Sequence, residues 1–219
     1  MHVVLARHGN TFEPDERPVW IGARTDLPLV AKGREQATRI GEALKAANMV
    51  PRRTMASPLK RTRQTACLAL AAAGVADPEV EIEAQLREID YGVWEGKTSD
   101  EIRSLGGGEE LRAWDQENAW PFQACWPSSR SEYLRGMADV LENVRRRNTE
   151  PTFIVSSNGV FKLFASSLDE GPGVAKMATG HLSLLCLEPR KTRMLCWDLS
   201  PAAFVEWSNR NLTRLQDTQ

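Results

Sequence analysis

Three short apolar runs in this chain each stop at a cluster of polar residues, and that arrangement limits the possible folds more than anything else in it. His2 to Ala6 ends at Arg7-His8-Gly9-Asn10-Thr11, Thr54 to Ala56 at Ser57-Pro58-Leu59-Lys60-Arg61-Thr62, and Thr152 to Ser156 at Ser157-Asn158-Gly159. Apolar runs of this length read as buried strands. Helical patterns lie between them. From Lys32 to Ala47, Ala37, Ile40, Leu44 and Ala47 fall on one face. Ser57-Pro58 reads as the opening of a second helix through about Ala73, with Ser as cap and Pro in the first turn. Alternation of strands and helices predicts an α/β chain, here a three-layer α/β/α sandwich around a mainly parallel sheet. In such sheets ligands bind beyond the carboxyl ends of the strands, where the three polar clusters lie.

The remainder fits one domain over residues 1–219. From about Lys97 to Asn148 the pattern is helical with an irregular middle. Gly106-Gly107-Gly108 breaks it, and a loop from Trp120 to Ser131 interrupts it again. We read this block as an insertion over one end of the sheet. A helix is expected from about Val160, and strands at Leu182 to Leu187 and Met194 to Leu199 flank a turn at Pro189-Arg190-Lys191. With 42% hydrophobic residues a sizeable core can be buried.

Composition excludes several classes of function. The formal net charge is −1 and the densest basic stretch is Arg145-Arg146-Arg147, at the end of a predicted helix where cations suit the dipole, so no nucleic-acid surface is expected. No apolar run is long enough to span a bilayer, and the apolar start is too brief for a signal peptide, which predicts a cytoplasmic protein that does not engage a membrane. Cys67, Cys125, Cys186 and Cys196 show no Cys-x-x-Cys spacing and the three histidines lie far apart, so neither a metal site nor a cofactor is expected.

The residues of the polar clusters suit phosphoryl chemistry, although taken singly His8 also reads as a strand-end histidine bonded to the backbone and Arg61 as an exposed helix arginine. A neutral imidazole is a competent nucleophile toward phosphorus. A neighbouring guanidinium such as Arg7 grips two phosphoryl oxygens in a fork. Gly9 lets backbone approach an anion closely. Arg61, in the first turn of the second helix, adds a fixed charge where a helix N-terminus already favours anions.

Taken in order, Arg7-His8-Gly9-Asn10-Thr11, Gly33-Arg34-Glu35-Gln36-Ala37, Ser57-Pro58-Leu59-Lys60-Arg61-Thr62 with Gln64-Thr65, and Leu86-Arg87-Glu88 before Gly92-Val93-Trp94-Glu95-Gly96 resemble the histidine phosphatase superfamily, phosphoglycerate-mutase-like. The resemblance runs from Leu5 to about Leu187. It implies that His8 accepts the phosphoryl group, that Arg7 and Arg61 form the phosphate pocket, and that Asn10 contacts the phosphate. It further implies that Gly22, in Trp20-Ile21-Gly22, belongs to a loop approaching the phosphate, and that Glu88 is the acid/base protonating the leaving oxygen. The family's second histidine, in a Ser-His-Gly after a strand, is missing. Ser157 stands in its place and Asn158 replaces a glycine. These two are left as neutral hydrogen-bond donors toward the phosphate, about half as strong as a charged one. His181, which follows Thr179-Gly180, is the one candidate to stand in for the lost ring.

The expected activity is that of a metal-free phosphomonoesterase acting on a small phosphorylated metabolite through a phosphohistidine. The alternatives are a phosphoglycerate-type mutase and a catalytically weak protein that binds a phosphate ligand. Arg24 and Arg130 are candidates for positive charge at the mouth of the pocket, with a plain surface arginine the other reading of Arg130; Trp114, Trp120, Phe122 and Trp126 read as core or apolar-lid packing in preference to substrate stacking. Substrate identity and oligomeric state are not specified by the sequence.

Overall fold

The structure is a computed structural model and describes residues 1–173 and 175–216. In chain order its elements are β1 (His2–Arg7), α1 (Ala31–Ala46), β2 (Arg53–Ala56), α2 (Lys60–Ala73), β3 (Glu81–Ile82), α3 (Ser99–Ile102), α4 (Gly108–Glu117), α5 (Arg130–Arg147), β4 (Thr152–Ser156), α6 (Asn158–Ser166), β5 (Leu182–Leu187), β6 (Thr192–Leu199) and α7 (Pro201–Gln216). The six strands form one sheet in the order β3-β2-β4-β1-β5-β6. The pairings β3–β2, β2–β4 and β4–β1 are parallel, with Arg7 opposite Ser156; β1–β5 and β5–β6 are antiparallel.

Alternation along the strands sends side chains into two cores, one per face. On one side Val4, Ala6, Phe153 and Val155 meet Ile40 and Leu44 of α1, Ala66 and Ala69 of α2 and Phe204 of α7. On the other, Val3, Leu5, Met55 and Ile154 meet Val140 and Val144 of α5 and Phe161 and Phe164 of α6. Full burial of each such aliphatic or aromatic side chain contributes about 1.5–3 kcal/mol. The result is the expected α/β/α sandwich with a mainly parallel sheet. Among the described residues no helix is long and apolar enough to cross a membrane.

Three local readings differ from the structure. Helix α2 starts at Lys60, and its N-cap position, Leu59, has no side-chain cap bond. Ser57 instead hydrogen-bonds the Thr62 hydroxyl at 2.7 Å, while the first turn is met from outside, Lys60 N donating to Asp26 Oδ1 at 2.6 Å. Helix α6 begins at Asn158 rather than Val160, because Asn158 and Gly159 already have helical backbone. The 97–148 block divides into α3, a π-turn over Arg103–Gly107 kinked at Gly106 (φ 89°), α4, and a loop leading to α5. The N-terminus of α5 carries a capping box in which Ser129 and Glu132 each accept from the other's backbone N–H.

Candidate active site

His8 is the first residue beyond β1, and its backbone N–H donates to Ser156 O at 3.1 Å, beside the end of β4. Its ring is 4% exposed. Nδ1 lies 2.8 Å from Gly9 O, and a carbonyl can only accept, so Nδ1 carries the proton and Nε2 keeps its lone pair. Burial, reinforced by Arg61 and Arg7, holds the imidazole well below its ordinary 6.5. The ring is therefore neutral and nucleophilic at neutral pH.

The glycines and glutamines of the motifs set this loop in place. A Cβ on Gly9 would run into the Gly33 carbonyl, and one on Gly33 into the Asn10 carbonyl, so the turn after β1 sits directly on the start of α1. Gln36 Oε1 accepts from Asn10 N at 2.8 Å while its Nε2 donates to Thr179 O at 3.1 Å. Thr65 of α2 accepts from Gly9 N at 3.1 Å.

Arg61 is fully buried, donating from Nη1 to Thr25 O at 2.8 Å and from Nη2 to Gly22 O at 3.2 Å. Arg7 donates from Nη1 to Met177 O at 2.6 Å. The Nε of each arginine is buried without a partner among the described residues, leaving N–H groups for an anion to satisfy. Glu88 is 4% exposed; its Oε1 accepts from Ile89 N at 2.9 Å and its Oε2 from Gly159 N, in the first turn of α6, at 3.2 Å. Burial raises its carboxyl above the ordinary 4.5, against the pull of these bonds and of Arg61 and Arg7. A raised carboxyl beside a lowered imidazole is the pairing that acid catalysis with a neutral nucleophile needs.

A cavity of about 620 Å³ opens onto Arg7, His8, Asn10, Glu88 and Asn158. Arg61, Gly22 and Ser157 are buried and are not among the residues that line it. Gly22 meets the site through its carbonyl on Arg61. Ser157 is the N-cap residue of α6, and its buried Oγ has no partner among the described residues. Asn158 Oδ1 accepts from Met177 N at 2.9 Å, and Asn10 Oδ1 accepts from the Thr179 hydroxyl.

Several sequence expectations are corrected. The ring of His181 is turned to Asp198, Nδ1 to Oδ1 at 2.8 Å, and does not line the cavity. Arg24 ion-pairs with Asp90 and Glu95 and lines a different cavity of about 550 Å³, between residues 84–90 and α5, which shares only Glu88 with the first. Arg130 is the first residue of α5 and lines neither. Trp114 and Trp126 are buried in edge-to-face packing with Trp120, which also holds Tyr91 and Trp94, while Phe122 is 92% exposed. The aromatic cluster is thus a core beneath the Glu88 loop. The aromatic side chains at the cavity itself include Phe12, Trp20 and Tyr91, and its cations include Lys32 and Lys176. Tyr91 hydrogen-bonds the Glu88 carboxyl. Its place three residues after Glu88 was the only sequence signal for it; none marked the lysines, which lie outside the motifs.

The family model of the histidine phosphatase superfamily (branch 1) matches residues 3–199. The 2,3-bisphosphoglycerate-dependent phosphoglycerate mutase of Bifidobacterium longum is 35% identical over 121 residues, 54% of this chain and 48% of that protein. The chain thus spans about half the length of that curated relative. The alpha-ribazole phosphatase of Shigella flexneri has a TM-score of 0.71 at 22% identity, covering 91% of this chain and 97% of that one. A mycobacterial glucosyl-3-phosphoglycerate phosphatase has a TM-score of 0.72 at 22% identity, covering 91% and 99%. A match over nearly the whole described length, on a sheet that sets an Arg-His-Gly turn at the cavity, establishes that this chain belongs to the histidine phosphatase superfamily.

Proposed function

We propose that residues 1–219 form one catalytic domain, with the 97–148 block laid over one end of the sheet, that hydrolyses a small phosphomonoester in the cytoplasm through a phosphohistidine at His8. One observation carries this reading. A buried neutral imidazole, a carboxyl raised by burial and an arginine with an unsatisfied N–H line one cavity, and a second such arginine, Arg61, is within electrostatic reach of both the imidazole and the carboxyl.

His8 Nε2 attacks phosphorus and the bond from phosphorus to the ester oxygen breaks. Arg7 and Arg61 neutralise charge on the equatorial oxygens. Glu88 gives its proton to the leaving oxygen and releases an alcohol. The Glu88 carboxylate then takes a proton from water, the water oxygen bonds to phosphorus, and the nitrogen–phosphorus bond breaks, returning His8 to its neutral form. The arginines supply the positive charge of each step.

We take Ser157 to occupy the family's second-histidine position. Its hydroxyl, without a partner among the described residues, offers a neutral hydrogen bond in place of a charged imidazole donor, which favours slow turnover, because one preorganised donor is worth roughly 2.7–4 kcal/mol in the transition state. Rapid quench with labelled phosphomonoester should trap an acid-labile, base-stable phosphoryl group on wild type and none on His8→Ala. Label on another residue, or normal turnover by His8→Ala, would overturn the mechanism.

A further inference from the structure

Lys32 and Lys176 both line the His8 cavity and both are exposed. Neither ammonium has an ion-pair or hydrogen-bond partner among the described residues. The two differ in how their backbone is held. The residue after Lys176 is held through both of its backbone groups: Met177 N donates to Asn158 Oδ1 at 2.9 Å, and Met177 O accepts from Arg7 Nη1 at 2.6 Å. Trp197 Nε1 donates to Lys176 O at 3.1 Å, and Ala178 N donates to Asp198 Oδ1 at 2.7 Å. The same guanidinium that faces the phosphoryl site thus fixes the backbone at Lys176, while the ammonium stays free.

Its surroundings are mixed in charge. Asp115 lines the cavity too, but its backbone carbonyl accepts from the buried Lys162 ammonium at 3.0 Å. Lys162 in turn stands 4.9 Å over the Trp114 ring; burial lowers its pKa to about 8, with Asp115 opposing the shift and the like-charged Lys176 adding to it. Of the other carboxylates at the cavity, Glu88 is the buried candidate acid, bonded to Ile89 N and Gly159 N, while Glu13 and Glu16 belong to the loop over residues 11–18, joined to each other by a bond from Glu13 N to Glu16 Oε2. Among the described residues no carboxylate is bonded to Lys176, which leaves its charge available to a ligand.

We propose that Lys176, held in place by Asn158, determines specificity on the leaving-group side: it binds a second negative charge on the alcohol portion of the phosphomonoester. Asn158 acts as a positioning residue, and its side chain at the start of α6 is what ties that helix to the Lys176 segment. This inference rests on the phosphatase reading for the place of the phosphoryl group at His8.

A matched pair of compounds tests it. 3-Phosphoglycerate and glycerol 3-phosphate differ by a carboxylate in place of a hydroxymethyl group. Wild type, Lys176→Gln, Lys176→Arg and Asn158→Ala would be compared on both, by kcat and KM and by calorimetric Kd. The expected ratio favours the carboxylate in wild type, falls ~10-fold in Lys176→Gln, the weight of one charged hydrogen bond, and recovers in Lys176→Arg. Asn158→Ala should lose part of the ratio, in KM rather than kcat. A ratio unchanged in Lys176→Gln overturns the inference even if turnover is brisk. A Kd ratio that falls as expected in a chain with no turnover keeps the inference and overturns the phosphatase reading. Failure of wild type to bind either compound overturns both.

Discussion

At His8, one hydrogen bond decides the chemistry. The Gly9 carbonyl accepts a hydrogen bond from Nδ1–H, so Nε2 is the nitrogen that keeps the lone pair. Nitrogen NMR of the histidines should show His8 in this tautomer and still neutral as pH falls through 6.5, because burial and two guanidiniums disfavour the cation. A ring that titrates at the ordinary value would place His8 in solvent. Glu88 works the other way: burial raises its carboxyl above 4.5, and in the proposed mechanism its acid form is the one that protonates the leaving group. The turnover rate should fall toward alkaline pH as Glu88 ionises, and Glu88→Gln should abolish that limb along with most of the rate; a limb that survives the substitution belongs to another group. Ser157→His should place a charged donor beside the phosphoryl group and raise kcat/KM by up to ~10²-fold. Adding Asn158→Gly should keep that gain and weaken the selectivity attributed to Lys176. A folded Ser157→His slower than wild type, checked by circular dichroism, would give the serine a role of its own.

The helices and strands show which parts of the sequence speak for themselves. Strand β4 and strand β5 were legible to the residue, because both are continuous apolar runs with buried partners on each side. The start of α6 was misplaced because Asn158 and Gly159 carry turn propensity, which the bond from Gly159 N to Glu88 overrides. Helix α7 was not anticipated: its apolar positions, such as Phe204, become a stripe only once α1 supplies a surface to bury them. The catalytic candidates were legible through motif order, whereas Lys176 gained meaning only from contacts reaching it from α6, β6 and Arg7. The first turn of α6 offers a test at this scale. A Cβ on Gly159 would stand 2.6 Å from both Glu88 Oε1 and Tyr91 Oη. Alanine normally stabilises a helix interior by about 1 kcal/mol over glycine, so Gly159→Ala should leave the helix formed while displacing the carboxyl. The expected loss in kcat is at least ~10-fold, with thermal stability near wild type; full activity would show that Glu88 is not held against this turn.

Across the molecule, the aromatic cluster joins the 97–148 block to the loop carrying Glu88 and Tyr91. Trp126 touches Tyr91, Trp94, Trp114 and Trp120 edge-on. Trp126→Ala should cost about 3–5 kcal/mol, seen as a lowered Tm, and should slow turnover by loosening the Glu88 loop; an unshifted Tm would remove the cluster's structural role. Because arginines supply the charge, activity should be indifferent to EDTA; a tenfold loss restored by magnesium would overturn that part of the mechanism. The sheet itself carries a last consequence. Strand direction reverses at β1, which pairs in parallel with β4 and antiparallel with β5. The ends of β1, β2 and β4 therefore deliver Arg7-His8, the start of α2 and Ser157 from one side of the reversal, while the segment over residues 176–181 arrives from the other, just ahead of β5. Residues 177–181 are bonded to Arg7, His8 and Asn10 and are therefore tied to the reaction; on the proposed reading it is the Lys176 side chain alone that a lineage built on this sheet is free to vary, changing what it recognises without having to reinvent how it reacts.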